Sequence, residues 1–212
     1  MEFSRYIVPI YIKKDNVYKY YGTGSIVNSM LITANHVVKD KVNAYFLYEN
    51  KFHYVDITKL VVIESDGDIL PSNHEYDLFI CNTDIKDSDL KLSSMYDKSQ
   101  NCELCAYVLD ESQGLDNKTE RIREDYYSDI YISRDISTDS IGRRLYNCFS
   151  CDYKFKHTNS GSPLLQNGNI VGLLIKELCH FGKYNEGIFI KARHIIQAIE
   201  NRIENRIHLR ME

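Results

Sequence analysis

The residues whose types and spacing best suit chemistry lie in HTNSGSPLLQNGNIVGLLI, residues 157–175. A serine followed by glycine, a second small residue and proline, just ahead of an apolar strand, makes a tight turn. Such a turn exposes one hydroxyl, here that of Ser160, and points backbone N–H groups outward. Acyl transfer asks for both: an exposed nucleophile, and preorganised donors aimed where the oxyanion develops. Taken alone, the same residues also suit a plain Ser/Gly/Pro hairpin turn. Two further segments carry ionisable groups at strand ends. In GTGSIVNSMLITANHVV, residues 22–38, an apolar strand delivers His36 just after the small residues Thr33 and Ala34. In HEYDLFICN, residues 74–82, Asp77 stands at the lip of an apolar run. A carboxylate there is costly to bury unpaired, so it faces solvent or accepts from a partner such as an imidazole N–H. Singly, His36 reads as a structural or exposed histidine and Asp77 as a solvated carboxylate.

The elements that must position these residues are short strands. YIVPIYIKK (6–14), YGTGSIVNS (21–29), MLITANHVV (30–38), NAYFLYE (43–49), HYVDITKLVVIE (53–64) and YDLFICN (76–82) are rich in Val, Ile, Tyr and Phe and bounded by Asn, Asp, Gly and Ser. They would fill one antiparallel barrel. A polar stretch from about 84 to 101 suits a connection between two units. CELCAYVLD (102–110) follows, then about twenty charged residues with little apolar content, then DIYIS (129–133), RRLYNCFSC (143–151), SPLLQNGNIVGLLIKEL (162–178) and EGIFIKA (186–192). Asn167-Gly168 between two apolar runs is a hairpin signal, because both turn positions need positive φ. Over RHIIQAIENRIENRIHLRME, residues 193–212, the period changes. Ile195, Ile196, Ile199, Ile203 and Ile207 recur at three- and four-residue steps, the stripe of a closing helix.

Together these segments resemble the chymotrypsin/trypsin-like serine peptidases along nearly the whole chain. ITANHVV resembles the strand that ends in the family's histidine, YDLFI the element that follows its aspartate, and NSGSPL the nucleophile turn; the order His, Asp, Ser also matches. VGLLIKE resembles the strand that pairs with bound substrate and EGIFIKA the far wall of the specificity pocket. The resemblance implies an all-β fold of two six-stranded antiparallel Greek-key barrels with a C-terminal α-helix. Residues 1–95 would form the barrel carrying His36 and Asp77, residues 96–192 the barrel carrying Ser160, and residues 193–212 the helix packed on the second barrel. It implies a serine endopeptidase that forms an acyl-enzyme. Ser160 would be the nucleophile, His36 the general base, Asp77 the residue that orients His36, and the N–H groups of Thr158 and Ser160 the oxyanion hole. The specificity pocket would draw on residues 154–157, 175–177 and 187–189.

The departures from the family's pattern are informative. Thr158 stands where the family has a glycine that turns its N–H into the oxyanion hole, and a β-branched residue takes positive φ only at a cost. A hole ordered only by a substrate, ligand or regulatory protein partner, and a catalytically silent barrel that binds protein, are therefore alternatives to a constitutive enzyme. Asn159 replaces an aspartate that pairs with a freed N-terminal amine in the digestive branch, and no activation site is recognisable near residue 1. The NSGSP form is nearest to bacterial glutamate-specific endopeptidases and viral chymotrypsin-like proteases.

The whole chain fits this class. At 212 residues, 43% hydrophobic and 26% charged, it can bury one large core or two small ones. A net charge of -4 is poor for holding nucleic acid, so the expected partner is a protein or peptide substrate. No apolar run is long enough for a membrane span, and the start lacks a secretory leader pattern. Six cysteines without such a leader point to reduced thiols and a cytoplasmic location. Cys102-x-x-Cys105 and Cys148-x-x-Cys151 have zinc-ligand spacing, but buried thiols serving as plain hydrophobes are the stronger reading, and no cofactor is expected.

Overall fold

The computed structural model describes residues 5–38, 43–64, 77–86, 88–111, 115–116, 118–138, 144–153, 155–180 and 184–208. Among the described residues the strands form two curled, mainly antiparallel sheets, followed by one closing helix. In the first sheet β1 (Ile7–Lys14) pairs with β2 (Val17–Val27), β2 with β3 (Met30–Ala34), and a helical turn, α1 (Asn35–Val38), follows at once. β4 (Ala44–Tyr48) and β5 (Lys51–Tyr54) extend the β1 edge, while β6 (Leu60–Glu64) and β7 (Leu78–Asn82) extend the β3 edge, giving the order β5-β4-β1-β2-β3-β7-β6. The second sheet contains β8 (Cys102–Leu109), β11 (Ile122–Ile130), β12 (Ile132–Thr138), β13 (Arg144–Cys151), β14 (Pro163–Gln166), β15 (Asn169–His180) and β16 (Tyr184–Lys191), in the order β11-β8-β14-β15-β16-β13-β12. Among the described residues the second sheet has seven strands and the first runs through seven with two more beside that path, and the pair matches the expected two-barrel, chymotrypsin-like architecture. Between β8 and β11 a small hairpin, β9 (Leu115–Asp116) and β10 (Thr119–Glu120), leaves the second sheet and pairs in parallel with β2 at Tyr18. The last element, α2 (Ala192–His208), contacts β15 and β16 and also β6 of the first sheet.

Local chemistry explains the boundaries. The expected hairpin at Asn167-Gly168 joins β14 to β15, with φ of 52° and 74°. HYVDITKLVVIE is not one strand. Asp56 accepts from the Thr58 N–H at 2.9 Å, which caps a 3-10 turn over Ile57–Lys59 and separates β5 from β6. The charged stretch after β8 forms a strand after all: β11 lies at the sheet edge, where only one neighbour must be satisfied and most of its side chains meet water. DIYIS divides at Tyr131 between the end of β11 and the start of β12. Within the polar stretch between β7 and β8, Lys91 C=O accepts from Ile170 N–H and Ser93 N–H donates to Ile170 C=O, both at 2.8 Å.

The same strand geometry divides the cysteines of the two Cys-x-x-Cys pairs between two faces. In a strand, residues three apart point to opposite faces. Cys102 and Cys151 accordingly pack in the core of the second sheet, whereas Cys105 and Cys148 pack in the apolar cluster shared with the first sheet. Among the described residues no group of three or more His, Cys, Asp or Glu could hold a metal ion, and no helix is long and apolar enough to cross a membrane.

Candidate active site

His36 is delivered by the change from β3 to α1. Strand pairing with β7 ends at Ala34 opposite Leu78, and the Asn35 N–H then donates to the Asp77 carbonyl at 3.1 Å. Asp77 thus sits beside the helical turn and uses both carboxylate oxygens on one residue. Its Oδ1 accepts from the His36 backbone N–H at 2.8 Å, and its Oδ2 meets His36 Nδ1. An Nδ1–H donated to a carboxylate makes Nε2 the unprotonated, accepting nitrogen, the tautomer a general base needs. The carboxylate is largely covered, with 13% side-chain exposure, while the imidazole is open at 47%.

Ser160 comes from the other sheet. It follows a single 3-10 turn, His157–Asn159, and precedes β14. Gly161 is indispensable to this turn: its φ is +82°, and a Cβ there would lie 2.1 Å from the Thr23 carbonyl oxygen and 2.4 Å from Thr33 Oγ1. The two halves of the site meet at Gly22 in β2. A Cβ on Gly22 would fall 2.8 Å from the Ser160 carbonyl oxygen and 2.9 Å from Val37, the neighbour of His36. The helical turn carrying His36 and the turn carrying Ser160 therefore pack against one another with only a glycine between them. Of the expected residues, His36 and Asp77 are in direct contact, and the Ser160 backbone carbonyl lies across Gly22 from Val37, the neighbour of His36.

Thr158 keeps a helical backbone inside the 3-10 turn, a conformation of negative φ. Its carbonyl accepts from the buried Tyr20 hydroxyl at 3.0 Å. Asn159 is fully buried, and its Oδ1 accepts from Lys156 N–H at 2.7 Å and from Tyr127 O–H at 3.0 Å. Tyr127 also donates to Asp125 in some orientations of its hydroxyl, at 2.6 Å, and Asp125 pairs with Lys156 at 3.0 Å. The Asn159 side-chain oxygen is thus held by the start of its own 3-10 turn and by a tyrosine of β11. Of the expected specificity pocket, Phe155 and Ile175 are buried and Phe155 fills the space against Gly187, where a Cβ would lie 2.3 Å from its ring. Lys154 and the side chain of His157 lie outside the described residues. Tyr20, Tyr127 and Asp125 bear on the site without any local motif in the sequence to mark them, and Gly22 only opens the segment that carries His36.

No family model matches the chain, and no curated protein matches it. Solved structures do match: an HtrA-type protease, AlgW, with a decapeptide (TM-score 0.64, 16% identity, 95% of this chain and 65% of that one). The tobacco vein mottling virus protease also aligns (TM-score 0.57, 14% identity, 89% of this chain and 77% of that one). A scabies mite inactivated protease paralogue, S-D1, aligns as well (TM-score 0.62, 14% identity, 94% of this chain and 92% of that one). The fold is that of the chymotrypsin-like serine proteases. At 65%, the chain spans somewhat less than two thirds of the length of the HtrA-type protease.

Proposed function

We propose that this protein is a serine endopeptidase acting on a protein or peptide substrate through His36, Asp77 and Ser160. The observation that carries the reading is the doubly bonded Asp77–His36 pair, set across Gly22 from the turn that bears Ser160. In the reaction Ser160 Oγ attacks the scissile carbonyl as His36 Nε2 takes its proton, and Asp77 stabilises the imidazolium that forms. The amine leaves with that proton, and water then releases the acyl group from Ser160 by the same route. The Ser160 N–H is one donor to the oxyanion, and Thr158 N–H is the other once its peptide is suitably turned.

A conditional form of this enzyme is favoured by one specific feature, the helical backbone of Thr158. In that form a substrate or a regulatory protein partner reorders the 3-10 turn before reaction. A silent protein-binding barrel is the competing reading, and it draws on the likeness to inactivated protease paralogues. Labelling with a serine-directed fluorophosphonate separates them. The wild-type protein should label, and Ser160→Ala and His36→Ala should not; a folded wild type that never labels, even with candidate peptides present, means the silent barrel.

A further inference from the structure

Tyr20 reaches the nucleophile turn from the opposite sheet. It lies in β2, is 5% exposed, and its hydroxyl stands 3.0 Å from the Thr158 carbonyl, 2.7 Å from the Tyr107 carbonyl in β8 and 3.1 Å from Thr23 Oγ1. The surrounding backbone bonds reveal what this contact governs. Asn159 N–H donates to Lys156 C=O at 2.9 Å, Ser162 N–H to Asn159 C=O at 3.1 Å, Thr23 N–H to Ser160 C=O at 3.0 Å, and Gly161 N–H to Leu174 C=O at 2.7 Å. These bonds, with that from Tyr20, fix the three consecutive peptides from Thr158 to Gly161. The Ser160 N–H belongs to the middle one, so its direction is set by them. Among these bonds only the one from Tyr20 comes from a side chain.

We infer that Tyr20 is a positioning residue for the nucleophile turn, its hydroxyl holding the Thr158 carbonyl so that the Ser160 N–H and Oγ present a fixed geometry to the substrate. The proposal deepens the peptidase reading and rests on it for the catalytic consequence. A tyrosine carries a single O–H, and two carbonyls compete for it here. Thr23 Oγ1 accepts from the Tyr107 N–H at 3.3 Å, so its own proton is free to go to Tyr20 Oη. The Tyr20 proton is then shared between Tyr107 in β8 and Thr158 in the turn. Burial raises the Tyr20 hydroxyl well above the ordinary phenol range, so the proton is retained across working pH.

The test uses Tyr20→Phe, with Tyr107→Phe as a matched control. Tyr107 also spans the two sheets, donating its hydroxyl to the Ile7 carbonyl at 3.0 Å, far along the chain from the turn. Two readouts are taken on the full chain: the second-order rate of fluorophosphonate labelling at Ser160, and amide hydrogen exchange over residues 156–162. Tyr20→Phe should slow labelling roughly tenfold, the worth of about one hydrogen bond. It should also speed exchange at Asn159 and Gly161, while Tyr107→Phe should lower Tm similarly and change neither readout. Unchanged exchange in Tyr20→Phe, or equal changes in both variants, overturns the proposal. If the wild type does not label at all, the peptidase reading fails, while the exchange comparison still decides whether Tyr20 holds the turn.

Discussion

Thr158 and Gly161 flank Ser160 with opposite conformational demands. Gly161 is in the left-handed region, with no room for a side chain, so no substitution can be accepted there without moving Thr23 or Thr33. Thr158 holds negative φ in the 3-10 turn, and its branched Cβ resists the positive φ that would turn its N–H towards a substrate carbonyl. Replacing Thr158 with glycine removes that resistance. In the conditional form of the enzyme, Thr158→Gly should raise the fluorophosphonate labelling rate several-fold, and the added freedom of the unfolded chain should lower stability by about 0.5–1 kcal/mol. Equal rates in the two proteins, measured by stopped-time labelling, would mean that the Thr158 peptide does not limit reaction. The sequence already marks Thr158, because its departure from the turn pattern is local. It cannot mark Tyr20, which lies 138 residues away and meets the turn only through the packing of the two sheets.

At the scale of elements, β2 is the strand on which the site depends. It pairs with β1 and β3, receives β10, and touches the nucleophile turn through Tyr20, Gly22 and Thr23. An alanine at Gly22 would place its Cβ against a backbone oxygen of Ser160, which a side-chain rotation cannot relieve. Gly22→Ala should therefore separate the turn from α1, cutting the labelling rate at least tenfold while costing about 1–3 kcal/mol of stability, in the range of other overpacked sites. Loss of labelling matched by wholesale unfolding in circular dichroism would refute this local effect. The elements most legible in sequence are those with one apolar face or a turn signal: β1, β3, β7, the β14–β15 hairpin and α2. β11 was hidden because an edge strand buries little, and the β5–β6 break because a single Asp56 side chain decides it. The spacing Cys-x-x-Cys suggests metal only where the chain turns back on itself; on β8 and β13 the pleat sends the two thiols to opposite faces.

Across the whole molecule, one apolar cluster crosses the boundary between the sheets. It joins Ile10, Leu31 and Ile80 of the first sheet to Leu165, Leu173 and Ile190 of the second and to Ile195 of α2. Neither sheet can lose its partner without exposing part of this cluster, so unfolding should be a single transition. Tyrosine fluorescence and far-ultraviolet circular dichroism, with 17 tyrosines and no tryptophan in the chain, should trace the same denaturant curve. Two separated midpoints would show that the sheets fold independently. The buried thiols add a pH dependence to that transition. Burial pushes Cys102 up to about 11 and Cys81, Cys105 and Cys148 up to about 12. In the unfolded chain a thiol loses its proton near pH 8.5 to 9. Between these values the native state binds more protons than the unfolded state, so unfolding stability falls as pH rises. The thiol contribution is complete below about pH 8.5 and declines through pH 11 to 12. The expected result is a thiol-dependent fall in Tm above about pH 9, reduced in Cys105→Ala relative to its own neutral-pH value, together with slow reaction of the native thiols with a disulfide reagent at pH 8. A Tm with the same alkaline slope in wild type and variant would assign the loss to other groups, such as the buried tyrosines, and not to the thiols.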